Sequence, residues 1–312
     1  MAWFSRTLAP GAHPIAPSDD GPLPLAGRYR LGVRIGSGAA AEVVQAIDLR
    51  TGAKVAVKLI PLPDELPASE RKDWVDRLQR EADLGRRLQH PDIVEVLDAG
   101  LARHHAWLAM ERVHGVELGR YAQPMRLLPE AVVLRLGSRV AAALAHAHAH
   151  GVVHRDLKPA NVLVNLGTDQ LKLADFGVAR ITEASLTRTG MTLGTPAYMA
   201  PELLAGAPAS AASDAYALGV MLFELLTSRR PHQADTLGNL LKAVAQAPPA
   251  SLAALRPDLP RPAVAAVEQL IDHNPNSRPA ALGVWAGQVA GLAALMSRLQ
   301  VSPQTSPKTP PA

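Results

Sequence analysis

The chain has 312 residues, 48% of them hydrophobic and 19% charged, with 32 basic against 28 acidic side chains and a net charge of +4. That length can bury a sizeable core. The composition excludes disorder throughout and collagen-like repeats, and the small excess of positive charge does not by itself point to nucleic acid. Zero cysteines exclude a disulfide scaffold, a thiolate zinc site, a cysteine-ligated iron–sulfur cluster and a cysteine nucleophile, and are compatible with a reducing cytosol.

Residues 1–27 are rich in proline, glycine and small side chains without helical or strand periodicity, which predicts a flexible leader. MAWFSRTLAPGAHPIAP has no continuous apolar run after its arginine, so no secretory signal is expected and the mature chain is expected to begin here. Three β-branched runs follow, Tyr29–Ile35, Glu42–Leu49 and Ala53–Ile60. Turns at Gly36–Gly38 and Thr51-Gly52 separate them, as in an antiparallel meander. The period then changes. Trp74, Leu78, Leu84 and Leu88 among many charges predict an amphipathic helix over 74–88, and Ala/Leu/Val segments around 130–150, 214–228 and 263–273 predict further helices. Strands first and helices later is an α+β pattern. Pro279–Met296, with Gln288 its only strongly polar residue, is barely long enough for a membrane span, but its alanines and three glycines favour a packed terminal helix, and no span is expected. Residues 298–312 are proline-rich and are expected to be disordered.

Chemistry concentrates in four places. Ile35–Val43, IGSGAAAEV, places Gly36, Ser37 and Gly38 between two strands, where backbone N–H groups can approach a phosphate. A GxG in a hairpin is more often purely structural, and the third glycine of GxGxxG is replaced here by Ala41. VAVKLI sets Lys58 inside an apolar strand, where a cation needs an anionic partner; Glu81 on the helix is one, and ordinary surface pairing is the alternative. VVHRDLKPANVLV (152–164) and LKLADFGVAR (171–180) are the most specific. Asp156 can accept a hydroxyl proton, Asn161 and Asp175 can hold Mg²⁺ through hard oxygens, and Lys158 can steady a transferred phosphate.

Together these motifs resemble the bacterial, eukaryotic-like (Hanks-type) serine/threonine protein kinases over residues 28–297. The match takes in the glycine loop, Lys58, Glu81, His154-Arg155-Asp156, Asn161, Asp175-Phe176-Gly177, Ala200-Pro201-Glu202, Asp214 and Arg278, in the expected order. The resemblance implies a bilobal α+β fold. A small antiparallel sheet with one main helix would form an N-lobe of about 28–112, and a mostly helical C-lobe would cover about 113–297. ATP would lie in the cleft with Mg²⁺ or Mn²⁺. Lys58, positioned by Glu81, would contact the α/β-phosphates; Asp175 and Asn161 would take the metals; Asp156 would orient the acceptor hydroxyl. Adenine would sit between Ile35, Val43 and Ala56 on one side and Leu163 on the other, with Met110 as gatekeeper, Glu111 to Val113 as hinge, and Glu117 near the ribose or a substrate arginine, although Ala160 removes a second acidic contact for such an arginine. Asp214 would brace the catalytic loop and Arg278 would pair with Glu202.

Serine/threonine preference follows, within the resemblance, from Lys158 and from Thr195 in GTPAYMAPE, a polypeptide-docking segment that small-molecule phosphotransferases of this fold lack. Thr187 and Thr189, with Thr192 as a third candidate, match autophosphorylated positions whose charge Arg155, Arg180 and Arg77 could pair. Gly85 is expected to leave a gap beside Phe176 and to loosen the helix. The run Ala145–His150 suggests metal ligands at His146 and His150, but it falls where the family has the helix entering the catalytic loop, and the structural reading is preferred. The implied setting is cytoplasmic, with protein substrates, a homodimer paired through N-lobes for phosphorylation in trans, and no nucleic acid. The competing class is a nucleotide- or partner-binding pseudokinase.

Overall fold

A computed structural model describes residues 24–37, 41–62, 68–102, 105–176 and 196–301. The expectations for most of the leader, for Gly38, Gly177, Arg180, Thr187, Thr189, Thr192 and Thr195, and for the end of the tail lie outside the described residues, as do the Arg77 and Glu81 side chains.

The first lobe is a five-stranded antiparallel sheet in the order β1-β2-β3-β5-β4, formed by β1 (Tyr29–Ser37), β2 (Glu42–Asp48), β3 (Lys54–Pro61), β4 (Val96–Leu101) and β5 (His105–Glu111). The three predicted strands are present with ends shifted by one or two residues. β3 is buried on both faces from Val55 to Val57 and at Leu59 and Ile60, because it lies in the middle of the sheet. Helix α1 (Ala68–Arg87) starts six residues earlier than its apolar spacing predicts, because its first turns, ASERKD, are polar and carry no apolar periodicity to register. On the face toward α1, Leu78 and Ala82 join Ala56, Ile60 and Met110; Tyr29, Val44, Val57 and Trp107 form the opposite layer. Gly85 corrects the expectation of an empty place: a Cβ there would stand 2.7 Å from Val96 Cγ2, so the glycine marks where α1 presses directly on β4.

The second lobe is built on α2 (Glu130–Ala149), α3 (Pro201–Leu204), α4 (Ala211–Thr227), α5 (Leu237–Gln246), α6 (Leu252–Leu255), α7 (Arg261–Leu270) and α8 (Leu282–Val301). A small sheet of β6 (Val116–Glu117), β7 (Val162–Asn165) and β8 (Gln170–Leu173) faces the first lobe's side of α2. Helix α4 is the axis of this lobe, buried continuously from Ser213 to Phe223. Gly219 permits its crossing with α7: a Cβ there would lie 2.6 Å from Leu270 Cβ and 3.2 Å from the Ile271 backbone nitrogen. Helix α8 lies along α2 and buries Leu282, Trp285, Ala286, Val289, Ala293 and Met296, the i, i+3, i+4 spacing of a helix packed on one side. By length and composition its Leu282–Leu299 window could cross a membrane, with 33% of it buried in the fold.

The histidine run forms a ladder. His146 stacks on His150 with ring centroids 4.5 Å apart and on His90 at 5.2 Å, and His146 Nε2 is buried without a partner among the described residues. Burial pushes the pKa values of His90 and His146 below that of free histidine, and burial does the same to His232. The unfolded chain therefore binds more protons, and the stability these groups contribute is complete above about pH 6.5 and lost as pH falls through their lower folded values. The midpoint of thermal unfolding is expected to drop between pH 7.5 and 5, and His146→Leu to flatten that slope, leaving the part due to His90 and His232; an unchanged slope would reject the assignment.

Candidate active site

Between α2 and β7 the chain runs without regular structure to a single 3₁₀ turn at Pro159–Asn161, so its polar backbone groups are satisfied from outside. Asp214, 1% exposed in the first turns of α4, accepts from the backbone nitrogens of His154 (2.8 Å) and Arg155 (2.9 Å). Arg155 sits at φ +72, a left-handed conformation that costs a non-glycine residue roughly 1–3 kcal/mol and persists only where its surroundings enforce it. His154 is fully buried; its Nε2 donates to Ala174 O at 2.9 Å, its Nδ1 accepts from Asp156 N at 3.3 Å, and its ring lies 4.6 Å from that of Phe176. The histidine thus joins the loop carrying Asp156 to the segment carrying Asp175.

The reactive side chains converge on that frame. Lys158 Nζ donates to Asp156 Oδ2 at 2.7 Å, and Asn161 Nδ2 donates to Asp156 O at 2.7 Å and Oδ2 at 3.2 Å. Asp156 Oδ1 has no partner among the described residues, and the side chain is 29% exposed. Asp175, itself at φ +67, accepts from Lys58 Nζ at 2.7 Å across the interval between the lobes. Lys58, 12% exposed, therefore has its anionic partner in Asp175; the expected pairing with Glu81 involves a side chain outside the description. The Asn161 amide oxygen and Asp175 Oδ2, also without partners among the described residues, are hard oxygen ligands of the kind a divalent ion takes.

Val43, Ala56, Met110 and Val113 come together in one apolar cluster with Ala174. Ile35 is 44% exposed and Leu163 is half-buried on β7, both outside this cluster, with Leu163 opposite Glu117 across the β6–β7 ladder. Gly36 and Ser37 face Val43 and Glu42 across the first hairpin. The Glu111 carboxylate turns to Lys172 Nζ and to the Glu95 backbone nitrogen, fastening the hinge to β8. Glu202 receives both terminal nitrogens of Arg278, at 2.6 and 2.9 Å, and the Arg278 side chain is 0% exposed.

Sequence reasoning missed three of these partnerships. His148 Nε2 lies 2.7 Å from Asp214 Oδ2, so the middle histidine of the run props the carboxylate that holds the Asp156 loop. Its signal was present, since His148 lies on a different face of α2 from His146 and His150. Lys172 with Glu111, and Arg139 with Asp92, carry no local pattern and become visible only in three dimensions.

A model described as the protein kinase domain matches residues 29–288. The chain belongs to the protein kinase domain family. Members of this family generally use ATP and a divalent metal. PknA of Mycobacterium tuberculosis, a serine/threonine-protein kinase, is 36% identical over 277 residues, which are 86% of this chain and 62% of PknA. The serine/threonine-protein kinase pkn3 of Myxococcus xanthus is 36% identical over 293 residues, 89% of this chain and 52% of that protein. The chain therefore spans a little over half the length of these curated relatives. Among solved structures, the Mycobacterium tuberculosis PknI kinase domain superposes with a TM-score of 0.66 at 28% identity, covering 85% of this chain and 96% of that one. Rad53 1-466 in complex with AMP-PNP gives 0.69 at 25% identity, covering 85% and 66%.

Arg278 is the most buried cation among the ion pairs of the described residues. Glu202→Ala leaves the Arg278 charge buried, and is expected to lower unfolding stability by about 3–5 kcal/mol, measured by urea denaturation; a loss under about 1 kcal/mol would place the arginine's compensation elsewhere.

Proposed function

We propose that the chain is a serine/threonine protein kinase that transfers the γ-phosphoryl group of ATP to protein hydroxyls. The observation carrying this reading is the convergence of Asp156, Lys158 and Asn161 with Asp175 in the second lobe, next to Asn161 through the Ala174 backbone, while Lys58 reaches Asp175 from the first lobe. Asp156 Oδ1 accepts a hydrogen bond from the substrate hydroxyl and orients its oxygen for attack, while Oδ2 stays fixed by Lys158 and Asn161. Lys158 carries its positive charge to the transferred phosphoryl, and Lys58 to the α/β-phosphates. Mg²⁺ or Mn²⁺, held by the free oxygens of Asn161 and Asp175, supplies neutralising charge along the phosphates. Val43, Ala56, Met110 and Val113 form an apolar floor for adenine, with Ile35 and Leu163 at its margins, the Glu111–Val113 main chain at its edge and Glu117 beside the ribose. Gly36, Ser37 and Gly38 cover the phosphates.

Glu81 positions Lys58 in the working state, and Thr195 with Lys158 restricts the acceptor to the short side chains of serine and threonine. Phosphorylation of Thr187 and Thr189, in trans within a homodimer, places negative charge within reach of Arg155. The catalytic domain covers residues 28–297, works in the cytoplasm where ATP is available, and acts on protein substrates.

The test is transfer from γ-labelled ATP with Mg²⁺ or Mn²⁺. Asp156→Asn is expected to lower the rate about 10²- to 10⁴-fold while retaining nucleotide binding. Label in the wild type is expected on Thr187 and Thr189 by mass spectrometry. If wild type incorporates no more than Asp156→Asn under both metals, the pseudokinase reading replaces this one. Thr187→Ala with Thr189→Ala is expected to depress activity on an added substrate, and full activity in that double variant would remove the regulatory part of the proposal.

A further inference from the structure

The segment GTPAYMAPE ends in a short turn, Pro196–Tyr198, before α3. The Tyr198 hydroxyl donates to Glu224 Oε2 on α4, and the other oxygen of that carboxylate accepts from Arg230 Nε at 3.1 Å. The Arg230 guanidinium carbon also stands 5.7 Å from the centre of the Tyr198 ring. Burial, followed by the Glu224 charge, pushes the Tyr198 pKa upward, so the phenol is a fixed donor at neutral pH. Glu224 is 13% exposed and fully committed, whereas the Arg230 side chain is 41% exposed. Its Nη1 and Nη2 have no partner among the described residues. An arginine anchored through Nε and laid against a ring keeps its terminal fork in one orientation, which is the arrangement that takes a carboxylate or phosphate in two parallel hydrogen bonds.

The distance from the acceptor follows from α4. Asp214 touches the backbone of Arg155, the residue before Asp156. Glu224 lies ten residues further along the same helix, about 15 Å at 1.5 Å per residue. An extended polypeptide advances about 3.3 Å per residue. Arg230 is thus reached by a side chain roughly four or five residues from the hydroxyl presented to Asp156.

We propose that Arg230, held by Glu224 and Tyr198, is a specificity site for an anionic side chain, a carboxylate or a phosphate ester, about four or five residues from the acceptor hydroxyl of a polypeptide substrate. This inference rests on the protein kinase reading of the neighbouring site. It gives Arg230 a role beyond its hydrogen bond to Glu224, which uses only Nε and leaves both terminal N–H donors for a ligand.

The test uses the full chain and peptides with one fixed serine or threonine acceptor, in which each flanking position in turn carries Asp, phosphoserine, Ala or Lys. For wild type, an anion at one position four or five residues away is expected to raise kcat/KM about tenfold over Ala, through KM, as a charge-assisted hydrogen bond of about 1.4 kcal/mol gives. Asp and phosphoserine arms separate the two sources of the anion. Arg230→Gln is expected to abolish that ratio and to raise the Lys peptide instead, because Glu224 Oε1 is released. A purely structural role for Arg230 would change every peptide by the same factor, and that result, or a wild type indifferent to anions at every position, would overturn the proposal. Affinity of the best Asp peptide, measured by calorimetry, is read in parallel. Binding weakened by Arg230→Gln without phosphoryl transfer by wild type would reject the kinase reading and keep the anion site, whereas transfer without discrimination would do the reverse.

Discussion

The loop bearing Asp156 depends on one buried carboxylate. Between His150 and Pro159 no helix or strand absorbs the backbone donors, and buried donors left unpaired cost about 1–3 kcal/mol each. Asp214 answers two of them and is itself held by His148. Its placement comes from α4, whose N-terminus is fixed by a reciprocal pair between Ser210 and Ser213. That end of the helix carries the positive pole of its dipole, which favours a carboxylate there. With α4 sealed in the core, the carboxylate cannot follow the loop if the loop relaxes, and the left-handed Arg155 is sustained. The geometry of the Asp156 loop is therefore tied to the C-terminal core through Asp214, with His154 fastening the loop to the Ala174 backbone.

The two lobes meet through a different set of contacts. Leu173 N donates to Asp92 O at 2.8 Å and Val94 N to Leu173 O at 2.9 Å, so the stretch after α1 docks on β8 as a short parallel bridge. Arg139 on α2 binds Asp92, and Lys172 on β8 binds both Glu111 and Ile93 O. Two residues beyond Leu173 comes Asp175, facing Lys58 on β3. The anchoring explains why a lysine of one lobe meets an aspartate of the other at hydrogen-bond distance: β8 is fixed to the approach of β4 on one side and runs into Asp175 on the other. Lys58 and Asp175 close the cleft from its inner end, and the apolar floor around Val43, Ala56 and Met110 lies beside them.

Residues whose chemistry is tied to local spacing were legible in the sequence. Asp156, Lys158 and Asn161 are held by hydrogen bonds within five residues, so their relation is written in one stretch, and the first three strands follow from glycine turns and β-branched runs, whereas β4 and β5, which pair so that β5 lies beside β3, were not read from the sequence. Long-range partners were legible only through the resemblance, as with Arg278 and Glu202, or not at all. His148 looked like part of a metal-binding tract because His146 and His150 share a helical face. The two faces of α2 separate them: His146 packs between His90 and His150, and the middle histidine reaches Asp214. Gly85 misled for a related reason, since a glycine in a helix reads as weakness unless the neighbour pressing on it is known. Here Val96 occupies the space a side chain would need.

Helix α8 shows the same limit in composition. Its mean hydropathy of 1.2 over Leu282–Leu299 meets the requirement for a span, and apolar residues lie on both its buried and its exposed sides. Trp285, Ala286, Val289, Ala293 and Met296 face the core, and Trp285 donates its indole N–H to Ala266 O at 3.2 Å. The other face combines Val284, Leu295 and Leu299 with Gly287, Gln288, Gly291, Ser297 and Arg298. A lipid-facing helix gains from apolar area on every side, whereas glycines exposed to open space contribute almost none and weaken the helix. The buried part of α8's apolar content packs against α2, where the same residues complete the core that holds Asp214 in place.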